Sequence, residues 1–170
     1  MKITRTLLLA CIACFFFAGN SFAQDIPEGF MNYKLEEKED YAKAEPMIIE
    51  LADYLLNEPV KPGSNLRDLA KAKLLQWMTG TPDYSFDLHV WATEISKKEP
   101  ELLMILMASM TRVGLSNPEK KDDKAFIQIE SANLLATYIA NADHNVKVKG
   151  YVKKFMAAHK AGTLAKFIGQ

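Results

Sequence analysis

"WMTGTPDYSFDLHVW", Trp77 to Trp91, is the stretch on which the fold class turns. Its second half alternates, with Phe86, Leu88 and Val90 on one side and Ser85, Asp87 and His89 on the other, which is the period of a half-buried strand. The spacing of Leu88, Trp91, Ala92 and Ile95 suits a helix equally well. A strand needs a partner, and no other segment after the first two dozen residues offers an obvious one. The reading is therefore an extended piece over about Tyr84 to Leu88, then a short helix to about Lys98. "TGTP" ahead of it is punctuation: Gly80 stands where a left-handed residue commonly closes a helix, and Pro82 prevents continuation.

Working outward, every neighbouring segment reads as helix. "EPMIIELADYLLN" starts at Pro46, which fits the first helical position because its missing N–H is unneeded there. Met47, Ile48, Leu51, Tyr54 and Leu55 then share one side, and "NEPVKPG" stops the helix. The next helix opens at Asn65, capped by Ser64 or Asn65, with Asp68 in its first turn. Leu66, Leu69, Ala70, Leu74 and Trp77 form its expected apolar stripe, with Arg67, Lys71 and Lys73 facing away.

After the Trp77–Trp91 stretch, "KKEPELLMILMASMTRV" is apolar nearly all round from Leu102 to Met110, as a helix buried on most sides should be. Asn117 and Pro118 read as the cap and first residue of a helix running to about Ala142, with "NADHN" as the following turn. A last long helix over about Asn145 to Ala161 puts Val148, Val152, Phe155 and His159 on one face, and Gly162 ends it before a short "LAKFIG" tail. The expected fold is all-α: five or six helices in an irregular bundle or a short array of antiparallel helical hairpins, with Leu102–Val113 near the centre. The two Glu-Pro helix starts form a faint internal echo compatible with such an array.

"LLQWMTGTPDYSF" and "KKEPELLMILMASMTR" together resemble a group of small exported proteins of Bacteroidota-type bacteria, in which a Trp-x-x-Gly-Thr-Pro corner precedes an apolar Pro-x-Leu-Leu helix. The resemblance covers about the middle third of the chain. It implies an exported helical domain and brings no activity, cofactor or partner with it.

The N-terminus supplies an address. "MKITRTLLLACIACFFFAGNSFAQ" has a basic start (Lys2, Arg5), an apolar run from Leu7 to Ala18 and the small-x-small ending Ser21-Phe22-Ala23. This is the pattern of a secretory signal peptide over residues 1–23, cleaved between Ala23 and Gln24. The apolar run of roughly a dozen residues is short for a membrane span of about 20. A lipidated Cys11 or Cys14 is disfavoured by Leu9, which stands where a small residue is expected, and by the apolar run beyond both cysteines. Cleavage removes both cysteines, which excludes thiolate nucleophiles, thiolate metal sites, disulfides and c-type haem attachment from the exported chain. The expected location is periplasmic or secreted. Residues 24–43 read as a polar arm and 44–170 as a single helical domain.

The exported chain carries 19 basic and 21 acidic residues, which does not suggest nucleic acid as a partner. The balance hides a gradient. Asp25 to Glu58 holds ten acidic residues against three lysines, and Val146 to Gln170 holds six lysines and no acid. The favoured reading is that these ends face each other across the fold; the alternative is weak contact of the C-terminal lysines with an anionic surface.

Candidate chemistry is sparse. Trp77, Asp83, Asp87, His89 and Trp91 form the one site-like cluster, a candidate binding corner. Asp87 and His89 would share a face of an extended segment, but a metal needs three or four convergent ligands, and His144 and His159 lie in distant segments. Met104, Met107 and Met110 sit in the most apolar helix, where core packing outweighs copper binding through thioethers. No nucleophile elbow, HExxH, phosphate loop or EF-hand pattern occurs. No catalytic residue, metal or cofactor is assigned. The leading expectation is a non-catalytic exported binding or scaffolding protein, meeting another envelope or secreted protein through the tryptophan corner or a groove between hairpins. A small apolar-ligand carrier and a carboxylate-dependent hydrolase are the alternatives.

Overall fold

The computed structural model describes residues 29, 33–61 and 63–170. The signal peptide expected over residues 1–23, its cleavage between Ala23 and Gln24, and residues 24–28 and 30–32 of the polar arm lie outside the described residues. Seven α-helices are present among them: α1 (Lys38–Asn57), α2 (Asn65–Gly80), α3 (Val90–Ser96), α4 (Glu101–Ser116), α5 (Lys124–Ala140), α6 (Gly150–Lys160) and α7 (Leu164–Ile168). No strand occurs among the described residues, so the all-α reading holds; residues 84–89 run extended into α3 without a partner. The helix beyond the expected six is the C-terminal tail, where Leu164 and Ile168 are buried and fix one more turn.

The central element is α4, which packs on α1, α2, α3 and α5. Its buried residues divide between two apolar clusters. Leu102, Ile105, Leu106 and Met110 join α3, α5, α6 and α7, while Ala108 and Leu115 join α1 and α2. Trp91 and Phe155 belong to the first cluster, and Trp77, Leu51 and Leu55 to the second. The apolar circumference read from Leu102 to Met110 thus has its cause in being shared between two hairpins, α1/α2 and α4/α5, and the C-terminal helices.

Several local expectations are corrected. Helix α1 starts at Lys38, eight residues before Pro46, so the last residues assigned to the polar arm are helical. The start is set by a capping box between Glu37 and Asp40, whose carboxylate accepts from the Glu37 amide at 3.1 Å. Pro46 sits inside the helix and leaves the Ala42 carbonyl without its usual donor. The carbonyls on either side of Ala42 receive side-chain donors instead, Tyr33 Oη to Lys43 at 2.9 Å and Trp77 Nε1 to Tyr41 at 3.0 Å.

Gly80 is the last residue of α2 and is not left-handed. A Cβ there would lie 2.1 Å from Tyr41 Oη, so glycine is needed for the Tyr41 ring to cross the helix. Pro118–Lys120 forms a separate 3-10 turn, and α5 begins only at Lys124, where Asp123 accepts from the Phe126 amide at 3.0 Å. Likewise α6 starts at Gly150 and Val148 is 44% exposed, outside the core to which the spacing had assigned it.

The apolar stripe of α2 is rotated relative to the expectation. Leu66 and Leu69 are exposed, while Arg67 is 2% exposed and faces inward with Ala70, Leu74 and Trp77. The guanidinium donates to two carbonyls at the end of α1, Glu58 O at 3.1 Å and Leu55 O at 3.3 Å. Those carbonyls would otherwise be orphans of the helix terminus, and the positive charge meets the negative end of the helix dipole. Tyr138 Oη adds a further donor to Glu58 O at 3.3 Å. Replacing Arg67 with methionine keeps the volume and removes both donors. Arg67→Met is expected to lower unfolding free energy by about 3 kcal/mol in urea titrations, since each charge-assisted bond is worth roughly 1.5–3 kcal/mol.

Candidate functional site

The structure does not assemble the tryptophan corner into a surface site. Trp77 is fully buried against Tyr84 and Phe86, with ring centroids 5.6 and 6.1 Å away. Trp91 is 4% exposed and lies in the other cluster, stacked on Phe155 at 5.8 Å with its Nε1 donating to Gln128 Oε1 at 3.2 Å. Asp83 pairs with Lys38 at 3.6 Å, and its amide donates to Thr81 Oγ1 in the turn after α2. Asp87 pairs with Lys124 at 2.6 Å, and that ammonium holds its carboxyl below the usual range. His89 is the N-cap residue of α3, its carbonyl accepting from the Ala92 amide. Each polar member of the corner thus serves a local structural partner. Among the described residues no three His, Asp or Glu side chains gather as a metal set.

The concavity of the molecule lies elsewhere. Helices α1 and α5 flank α4 with little direct contact between them, and this leaves a groove of about 560 Å³. Asp53, Leu56 and Asn57 of α1 form one wall, Phe126, Glu130, Leu134 and Tyr138 of α5 the other, and Arg112, Val113 and Ser116 of α4 the floor.

Polar groups in the groove are mostly committed. Arg112 Nε donates to Asp53 Oδ1 at 2.6 Å, and its guanidinium also bonds Ser116. His144, 5% exposed, stacks on Tyr138 with centroids 3.9 Å apart. Its Nδ1 lies 2.9 Å from the Tyr138 carbonyl, an acceptor only, so Nδ1 carries the proton. Nε2 then accepts from Asn141 Nδ2 at 3.3 Å and faces the Asn57 carbonyl at 3.2 Å. Glu130 differs: its described contact is the Asn133 amide at 3.4 Å, and no described cation pairs with it.

Helix ends line the groove as well. The final residue of α1, Asn57, the end of α4 at Ser116 and Asn117, and the C-cap of α5, Asn141, all border it. None of the three helices carries a basic residue in its last turn. Arg67 answers the end of α1, and Asn117 and Asn141 donate to terminal carbonyls of α4 and α5.

The chain matches no protein-family model, no curated protein and no solved structure. The groove is thus read from its own chemistry.

Sequence reasoning did not find these residues. Asp53 and Arg112 are 59 positions apart, and "NADHN" reads as a turn with nothing to announce that His144 folds back onto α1. Burial pushes the Tyr138 phenol above its ordinary range, against the pull of the Arg67 charge. As pH rises through about 10 the unfolded chain ionises at this tyrosine first, so the stability held by the neutral phenol is lost above that pH. Tyr138→Phe is expected to cost about 1 kcal/mol at pH 7 through the lost bond to Glu58. Its stability should fall less steeply than that of the parent above about pH 10, as followed by urea unfolding at a series of pH values.

Proposed function

We propose that this protein is an exported, non-catalytic binding protein of the cell envelope that holds a small organic cation with an apolar body in the α1–α4–α5 groove. The observation that carries the reading is Glu130, a carboxylate without a described cationic partner, in a groove also lined by the C-terminal ends of three helices. Arg112 does not reverse that sign, because its charge is met by Asp53. Leu56, Val113, Phe126 and Leu134 offer apolar walls, and the groove volume lies within the range of about 300–1,000 Å³ usual for small-molecule sites. A role in binding is favoured over proton transfer because Asp53 and both ring nitrogens of His144 already have partners. Export is supported by the tripartite pattern of residues 1–23. The buried indoles of Trp77 and Trp91 withdraw support from the tryptophan corner as a protein-binding surface.

The test compares two probes of one chain length and opposite charge, octylammonium and octanoate. At about ten times its dissociation constant a ligand stabilises by about 1.4 kcal/mol, which raises the melting temperature of a domain this size by about 4 °C. Octylammonium is expected to produce such a rise and octanoate none. Glu130→Gln should abolish the difference without lowering the melting temperature of the free protein. Equal response to both probes, or to neither, would overturn the cation reading.

A further inference from the structure

The C-terminal lysines offer an independent surface. Lys147, Lys149, Lys153, Lys154, Lys160 and Lys166 are all exposed, and no acidic residue occurs from Val146 to Gln170. None of the six forms an ion pair with a described residue, so the expected attraction between the acidic N-terminal and basic C-terminal regions is not realised as contacts. The acids of α1 that form ion pairs meet other cations, Asp53 with Arg112, while Glu58 just beyond the helix meets Lys61.

In α6 the lysines share a face. Lys153, Ala157 and Lys160 follow the spacing of one helical side, with Lys154 and Ala161 beside them. Val152 and Phe155 are buried on the opposite side. The outward face therefore presents ammonium groups separated only by small side chains. Just before the helix, Lys147 and Lys149 bracket the exposed Val148.

We propose that this face is a docking surface for an anionic lipid bilayer. The choice among anions rests on the side chains. The face has no arginine, whose planar fork suits bidentate recognition of individual phosphates, and lysine acts as a point charge suited to a diffuse headgroup layer. It presents no ring for stacking bases, because Tyr151 and Phe167 pack on each other at 5.2 Å between α6 and α7. A flat field of lysines with one exposed valine fits a charged plane better than a shaped partner. The inference is independent of the groove.

The test is co-sedimentation with phosphatidylcholine vesicles, with and without phosphatidylglycerol, at several salt concentrations. Binding is expected on the anionic vesicles only, weakening as salt rises. Each lysine at the surface is worth about a five-fold change in affinity, so Lys153→Ala/Lys154→Ala/Lys160→Ala should weaken binding roughly 100-fold. Lys34→Ala/Lys43→Ala, at and just before α1, which makes little contact with α6, should leave it unchanged. All five positions are exposed, and unchanged circular dichroism checks that the variants fold. Equal binding to neutral vesicles, or equal binding by the triple variant, would overturn the proposal. So would tighter binding to a single-stranded oligonucleotide than to the anionic vesicles, which would make the face a polyanion site.

Discussion

The C-terminal end of α1 is the constraint on which the rest of the arrangement hangs. A helix terminus leaves carbonyls that must find donors, and here side-chain donors come from two separate parts of the chain. Arg67 of α2 serves Leu55 and Glu58, and Tyr138 of α5 serves Glu58. Burying a guanidinium is expensive, and its Nε has no partner among the described residues. The compensation is that its charge lies at the negative end of a 20-residue helix and donates to two of its terminal carbonyls. One helix end thereby ties the α1/α2 hairpin to the α4/α5 hairpin. It also sets the separation of α1 from α5, which is the width of the groove.

That dependence explains which parts of the fold were legible in the sequence. Several signals that act within a few residues read correctly: the Ser64 cap bonds the Arg67 amide, the helix ends after Asn57, and Gly162 adopts a positive φ of 68° after α6. The apolar run of α4 was also legible, because burial on all sides needs no partner to be specified. The failures at Arg67, Gly80 and Pro46 involve long-range donors and packing. Arg67 was assigned outward because hydrophobicity alone places a charged residue on the surface, and nothing local shows that a distant helix end needs its protons. Leu66 and Leu69 were assigned inward for the same reason. Pro46 suits a first helical position by its local chemistry, and the helix runs through it with donors from Tyr33 and Trp77 on the carbonyls beside the interrupted bond.

The groove was illegible for a related reason. Its residues belong to no motif, since α1, α4 and α5 each contribute side chains at ordinary helical spacing. The tryptophan corner looked more like a site because its aromatic and titratable residues are adjacent in sequence. In the fold that adjacency serves architecture. Trp77 and Trp91 enter different clusters on either side of the extended segment, and Gln128 bridges that segment to α5 by accepting from Trp91 and donating to the Asp87 carbonyl at 2.6 Å.

A formal net charge of zero therefore conceals two fields of opposite sign. The groove keeps one carboxylate, Glu130, without a described cation, and lysines without described ion pairs gather on α6 and its approach. Had the two ends of the chain met, their charges would have cancelled in exposed pairs worth only about 0–1 kcal/mol each. Held on different elements without ion pairs between them, the two surfaces leave their charges uncancelled. The geometry that holds them apart is the same α1–α4–α5 packing. Helix α4 puts α1 on one flank and α5 on the other, and α6 packs on α3, α5 and α7 and makes little contact with α1. The segregation of charge follows from how the hairpins share α4, and composition alone carries no trace of it.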